Sequence, residues 1–210
     1  MLLFLRAALA ASFLLASAHA AAEPSYDPRE VRLLPAYCKS TQYFRNKFPR
    51  SDMAQEIARW TEFMGGTFNH MHHYCWGLMD VYRATLFDRD AQSRRHDLFA
   101  SIGEFDYVIK QAPDDFRYLP DILTKKAESL ILLDRGPEAV GELRRAIDIK
   151  PSYSPAYAAL SDYYKDTGDP KRAREWLQKG LEASPDAKAL SRRLAELNAA
   201  QRKKTSKPAD

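Results

Sequence analysis

The sequence lacks the short motifs that mark common catalytic sites. It has no Gly-x-Ser-x-Gly segment, no glycine-rich phosphate-binding loop and no His-Glu-x-x-His segment. The adjacent carboxyl groups of Asp114 and Asp115 fall in a segment that we predict to be a loop, where such a pair is typical of a solvated turn. We therefore expect no enzymatic activity and no cofactor.

The sequence also lacks a clustered excess of one charge. Its 32 Lys and Arg residues are mixed with 28 Asp and Glu residues, and the net charge is +4. A nucleic-acid-binding protein usually concentrates basic residues on one face, so we expect no nucleic-acid partner. The basic residues cluster only in the polar tail, residues 199–210, which we predict to be disordered; they are Arg202, Lys203, Lys204 and Lys207.

A long apolar run occurs only at the N-terminus. Arg6 precedes most of this run, which ends in the small-x-small sequence Ala18-His19-Ala20. This pattern is typical of a secretory signal peptide, so we assign residues 1–20 to a signal and place the cleavage after Ala20. A membrane anchor is the alternative, but the run is shorter than the ~20 residues that a spanning helix needs. We expect an exported, periplasmic protein that is not inserted in the membrane after cleavage.

Only two cysteines are present, Cys38 and Cys75, and both follow the predicted cleavage site. Two thiols in an oxidising compartment form a disulfide if their Cα atoms can approach to ~4.4–6.8 Å. Residues 21–50 contain several prolines and show little periodicity, so we predict an extended arm. A Cys38–Cys75 disulfide would attach this arm to the first repeat helix and stabilise the fold by ~3–4 kcal/mol in the chain-entropy model.

The C-terminal half contains an internal repeat of 34 residues. Residues 154–187 place large apolar, small and proline residues at a regular spacing: Tyr157, Leu160, Ser161, Tyr164, Gly168, Ala173, Leu177, Gly180 and Pro185. Residues 120–153 form an earlier copy in phase with it: Leu123, Ala127, Leu130, Ala139, Leu143, Ala146 and Pro151. Two copies in phase are hard to obtain by chance, so we infer a repeat architecture.

This pattern resembles the tetratricopeptide repeat family, and in particular its exported bacterial members. The resemblance implies no particular activity. The resemblance implies an all-α fold, a short α-solenoid of helical hairpins. The earlier copy departs from the family pattern at Lys126, where an apolar residue is usual. It also has Asp134 at the position of the turn glycine. We expect these departures to loosen the turn and to leave the helical pair intact.

We expect one helical domain over residues 51–198. A helix begins near Ser51 and ends at Gly65-Gly66, and residues 71–116 form a degenerate repeat with a long charged connection. Residues 186–198 have leucines at helical spacing between charged residues, which is typical of the helix that caps a solenoid. These are Leu190, Leu194 and Leu197. No pattern of strands is visible.

A cluster of potential metal ligands lies just after Gly66: His70, His72, His73 and Cys75. Imidazole and thiolate are ligands of zinc and copper. On a helix, however, no single face gathers four of these residues. A copper- or zinc-binding protein is therefore the alternative hypothesis, and the predicted disulfide would remove Cys75 from such a site.

The resemblance to tetratricopeptide repeat proteins implies that the first helix of each repeat lines a concave groove. The residues that would face it are Thr124, Glu128, Ile131, Ala158, Asp162 and Lys165. Their mixed polar and apolar character suits an extended peptide or a partner helix. We therefore predict a scaffold for protein–protein interaction, an adaptor in an envelope assembly or secretion process.

One measurement tests the predicted export and the predicted disulfide together. Intact-mass spectrometry of the protein recovered from the periplasm should give residues 21–210 with two hydrogens fewer than the reduced chain. Reduction under denaturing conditions should restore those two hydrogens. A mass equal to residues 1–210, or two titratable thiols before reduction, would contradict the prediction.

Overall fold

The computed structural model describes residues 27–87 and 89–205. The predicted signal peptide, residues 1–20, lies outside the described residues. Within the described part of the chain all the regular elements are helices, and no strand occurs. The predicted all-α class is confirmed.

The N-terminal segment is helical in short turns, so the predicted extended arm is wrong for residues 27–50. It forms α1 (Pro28–Leu33), a 3-10 turn (Ala36–Ser40) and α2 (Phe44–Lys47). α1 begins where the Asp27 carboxylate accepts a hydrogen bond from the Arg29 amide and where Pro28 stands at the first helical position. Helices this short depend on tertiary contacts, and Phe44 is fully buried.

The rest of the chain forms eight further helices within the described residues. α3 (Met53–Met64) ends at Gly65 and is followed by a 3-10 turn (Gly65–His70). Three hairpins follow, in which the second helix of each packs against the first. They are α4 (Met71–Leu86) with α5 (Ala91–Gln111), α6 (Leu119–Leu132) with α7 (Gly136–Ile149), and α8 (Ser154–Asp166) with α9 (Pro170–Ala183).

The last helix, α10 (Lys188–Thr205), packs against α8 and α9. It is longer than the predicted cap of residues 186–198. Residues 199–205, which we predicted to be disordered, continue it as a helix, while residues 206–210 lie outside the described part of the chain. Leu190 is fully buried and packs with Tyr157 and Leu177.

Small residues bring the two helices of each hairpin together. Ala127, Ala139 and Ala173 are completely buried, as the repeat pattern requires. In the first hairpin the same role falls to Gly77, because a Cβ atom there would lie 2.5 Å from the Phe105 ring. The hairpins therefore approach closely where no larger side chain fits.

Lys126, the polar residue at an apolar position of the repeat, is held by two carboxylates. Its amine lies 2.7 Å from Asp106 of α5 and 2.5 Å from Glu142 of α7. Burial lowers the pKa of this amine, but the two carboxylates raise it more, so the pKa lies above its usual value. The half-buried charge is therefore compensated, and it links two hairpins.

The turns within the second and third hairpins use the same backbone conformation with different residues. Gly168 joins α8 to α9 with φ 84°, and Asp134 joins α6 to α7 with φ 59°. A side chain in this left-handed region is strained, and glycine is not. The Asp134 departure therefore keeps the tight turn that we expected to be loosened, at a conformational cost.

This comparison predicts opposite effects of two substitutions. Gly168→Ala should lower the free energy of unfolding by about 1 kcal/mol, since a Cβ there meets no neighbour and only the backbone is strained. Asp134→Gly should raise it by about 0.5 kcal/mol. Urea denaturation followed by circular dichroism measures both.

Gly141→Ala is the matched control, because Gly141 lies within α7 and its Cβ would also meet no neighbour. Without a positive φ, alanine should stabilise this site by about 0.8 kcal/mol. If Gly168→Ala were as stabilising as Gly141→Ala, the strain at the turn would be refuted.

Candidate functional site

A concave groove of about 620 Å³ runs across the first helices of the three hairpins and reaches α10. The helices α4, α6 and α8 form its floor, since α6 contacts both of the others. Side chains from all four helices line it: Tyr82, Thr85, Leu86, Lys125, Glu128, Ile131, Leu132, Ser154, Pro155, Ala158, Ala159, Asp162, Tyr163, Asp166, Ala189 and Arg193, with Val81. We call this surface the groove.

One edge of the groove is apolar and exposed. Leu86 and Leu132 are the last residues of α4 and α6, and 63% and 47% of their surfaces face solvent. Ile131, beside Leu132, is partly buried in the groove. Large apolar side chains that converge on a concave surface are typical of a contact site.

The charged side chains of the groove are mostly paired. Glu128 lies 2.8 Å from Lys125, and Asp162 lies 3.1 Å from Arg193 of α10. Because opposite charges alternate, the groove does not carry a strong field of one sign. Its polar groups can orient a partner and contribute little to attracting it from a distance.

A hydrogen-bond network fixes the helices that carry the groove. The Asp121 carboxylate of α6 accepts a hydrogen bond from the Tyr74 hydroxyl of α4, and a second, at 2.7 Å, from the Tyr153 hydroxyl just before α8. Burial and then the negative charge of Asp121 raise the pKa of both tyrosines. The hydroxyls therefore stay protonated, and one carboxylate joins all three first helices.

The structure places four of the six predicted groove residues on the groove: Glu128, Ile131, Ala158 and Asp162. Thr124 does not belong there. Its side chain is buried, and its hydroxyl donates a 2.8 Å hydrogen bond to the Pro120 carbonyl one turn earlier.

Lys165 also lies away from the groove, in a neighbouring cleft of α8, α9 and α10. Leu86 and Leu132 line the groove but were not predicted from the sequence. Leu86 belongs to a hairpin without a clear match to the repeat. Leu132 directly follows the predicted Ile131, and its position at the end of α6 could have indicated it.

The two cysteines are joined by a disulfide, with their Cα atoms 5.8 Å apart and both side chains fully buried. The bond attaches the 3-10 turn of the N-terminal segment to α4. Cys75 is therefore not available as a metal ligand.

The three neighbouring histidines serve in packing. The His73 ring stacks on Tyr107 with centroids 3.8 Å apart, and its Nδ1 lies 2.6 Å from a Glu104 carboxylate oxygen. The His70 ring also contacts Tyr107, with centroids 5.7 Å apart. His72 is buried between Tyr43, His73 and Trp76.

The structure does not bring together the alternative metal ligands His70, His72, His73 and Cys75. Nowhere in residues 27–87 and 89–205 do three or more His, Cys, Asp or Glu side chains come together as metal ligands. Burial, and next the adjacent His73, lower the pKa of His72 to about 4. This histidine is therefore a neutral core residue at physiological pH.

The Asp121 network predicts a large effect of a single substitution. Asp121→Ala should lower the free energy of unfolding by about 3 kcal/mol, because two tyrosine hydroxyls lose a charged acceptor. Glu182→Ala, an exposed residue of α9, should change it by less than about 0.5 kcal/mol. Chemical denaturation at neutral pH measures both.

The same network predicts the response to alkali. A tyrosine whose pKa is raised on folding stabilises the protein fully below its unfolded value, near pH 10, and this contribution is lost as the pH rises towards the folded value. Stability should therefore decrease above about pH 10, and less steeply in Tyr153→Phe. An unfolding free energy that stays constant to higher pH would contradict the assignment.

Comparison with known proteins agrees with this geometry. A family model described as "Tetratricopeptide repeat" matches residues 154–197, which comprise α8, α9 and the first part of α10. A solved structure of a thermophilic tetratricopeptide repeat protein from Thermus thermophilus covers 74% of this chain and 86% of its own, with a TM-score of 0.55 and 15% identity. That likeness supports the fold.

A curated relative matches over a shorter range. Bacteriophage adsorption protein A of Escherichia coli is 40% identical over 62 residues, which are 30% of this chain. The match spans 6% of that relative's length. None of the described helices is long and apolar enough to cross a membrane. The repeated residues, the stacked hairpins and these similarities together show a fold of the tetratricopeptide repeat type, with a match to that family's repeat at residues 154–197.

Proposed function

We propose that this protein is a scaffold that binds an extended segment or a helix of a protein partner in the groove. The observation that carries the proposal is the exposed pair Leu86 and Leu132, which converge with Ile131 on a concave surface built by three repeats. A partner that covers these exposed leucines would stabilise the complex by about 25 cal/mol for each Å² of apolar surface removed from water.

The shape of the groove supports a polypeptide partner over a small polar substrate. The surface is open and crosses α4, α6 and α8, so a chain can lie across them and contact each in turn. The paired charges, Glu128 with Lys125 and Asp162 with Arg193, can fix its direction. The carboxylates of Glu128 and Asp162 therefore form ion pairs within the groove, an arrangement suited to binding a polypeptide.

We place this activity in the bacterial envelope, as an adaptor in an assembly or secretion process. Three observations support this location. The N-terminal sequence is typical of a signal peptide, the Cys38–Cys75 disulfide suits an oxidising compartment, and a partial relative is named a bacteriophage adsorption protein. An adaptor in that compartment would hold its partner through the groove while its outer surface stays free.

Site-specific photocrosslinking tests the proposal in living cells. A photoreactive phenylalanine analogue in place of Glu128 should give a discrete adduct with one protein, since this residue lines the groove on α6, which contacts both α4 and α8. The same analogue in place of Arg144, which is exposed on α7, is the matched control and should give none.

Leu86→Glu combined with Leu132→Glu should reduce the groove adduct by at least about tenfold, because anchor residues contribute most of the binding free energy. Both side chains are exposed, so the double variant should keep its helical circular dichroism spectrum. Adducts of equal yield from the Glu128 and Arg144 positions, or an adduct that is insensitive to the double variant, would refute the groove as the binding surface.

A further inference from the structure

A second cleft, also of about 620 Å³, lies beside the groove between α8, α9 and α10. Four basic side chains line it, Lys165, Lys171, Arg174 and Arg193, against two acidic ones, Asp162 and Glu196. We call this surface the cationic cleft. Among its lining residues, Asp162 and Lys165 were predicted from the sequence to lie at a binding surface.

The acidic side chains of the cleft already form ion pairs with neighbouring basic side chains. Asp162 lies 3.1 Å from Arg193 and 3.6 Å from Lys165, and Glu196 lies 3.8 Å from Arg192 on the same helix. They do not neutralise the remaining basic side chains. The cleft therefore keeps an excess of positive charge in a concave surface, where a charge is screened less than on a convex one.

Among these cations, Arg174 has side-chain amides as hydrogen-bond partners. Its Nε lies 3.0 Å from the Asn198 side-chain oxygen, and its Nη2 donates to the Gln201 side-chain oxygen. These partners are neutral amides, and within the described residues no carboxylate lies at ion-pair distance from Arg174 or from Lys171. A half-buried guanidinium without a counter-charge is costly. The amides hold it in place and leave other N–H groups free to donate.

The cleft is not purely polar, which limits the kind of anion that fits it. Pro170, Leu197 and Ala200 form part of its lining. A small inorganic anion would leave this apolar surface uncovered. A peptide with acidic side chains would cover it with the methylene groups of those side chains while its carboxylates reach the basic residues.

The cleft is continuous with the groove, because Asp162 and Arg193 line both. A partner that lies in the groove would therefore reach the cationic cleft without leaving the protein surface. The two surfaces differ in character, since one offers exposed leucines and the other unneutralised cations. Together they select a segment that is apolar at one end and acidic at the other.

We propose that the cationic cleft binds the carboxylate side chains of an acidic segment of the protein partner. This inference rests on the proposed function, since the acidic segment belongs to the chain that occupies the groove. The Arg174 guanidinium, held by Asn198 and Gln201, and the Lys171 amine are the principal contacts. Each offers a charge-assisted hydrogen bond to an incoming carboxylate.

Fluorescence polarisation with a labelled peptide of six glutamates tests this directly, and a peptide of six glutamines is the uncharged control. The full mature protein should bind the glutamate peptide and not the glutamine peptide. The double variant Lys171→Gln/Arg174→Gln should weaken the binding by at least about tenfold. The variant Arg144→Gln/Arg145→Gln removes the same charge from the exposed face of α7 and should change it by less than about twofold.

Loss of Arg174 could loosen α10, so Lys171→Glu is a second test. This side chain is exposed, the fold should be kept, and the reversed charge should weaken binding as much as the double variant. Equal weakening by the α7 variant would show a non-specific charge effect and would refute the proposal. Full competition by inorganic phosphate, or equal binding to vesicles of anionic lipid, would show a general anion site and would also refute it.

The outcome is separable from that of the proposed function. If the glutamate peptide does not bind while the groove adduct at the Glu128 position persists, the cationic cleft is refuted and the scaffold function stands. If the adduct is absent while the glutamate peptide binds through Lys171, the groove is refuted and the acidic ligand class stands for the cleft alone.

Discussion

The structure depends on one carboxylate that three neighbouring helices share. Apolar packing between repeats is non-directional, so small residues allow close approach without fixing how far one hairpin slides along the next. Hydrogen bonds are directional. Asp121 receives one from Tyr74 of the first hairpin and one from Tyr153 at the start of the third, which sets the relative position of α4, α6 and α8. The groove is the surface of these helices, and its shape follows from that constraint.

A short stack of repeats must also cover its two end surfaces, since each repeat contacts only its neighbours. At the C-terminal end α10 does this through Leu190. At the N-terminal end the segment from Asp27 to Lys47 packs on α4, where the disulfide and a two-point pair of Glu30 with Arg83, at 2.7 and 2.9 Å, hold it. A covalent bond and a bidentate ion pair suit a segment whose helices are too short to be stable alone.

The parts that could be predicted from the sequence are those in which the same residues recur. Helices α6 to α9 follow from two copies of one pattern, and so do four of the six groove residues. Thr124 was misplaced because its hydroxyl bonds back to the helix and its side chain is buried. Leu86 was missed because α4 lacks the pattern. The short N-terminal helices and residues 199–205 have no apolar period, and their conformation comes from caps, contacts and helix propensity.

The order of surfaces along the stack restricts the spacing of chemical groups in a partner. The exposed leucines belong to α4 and α6, whereas Lys171 and Arg174 lie on α9 beside α10. Packed helices are about 8–10 Å apart, so two steps, from α6 across α8 to α10, span about 16–20 Å. An extended chain advances about 3.3 Å for each residue. About five or six residues would therefore separate the part of the partner that covers Leu132 from its acidic side chains, and a helical partner, at 1.5 Å for each residue, would need about twice as many.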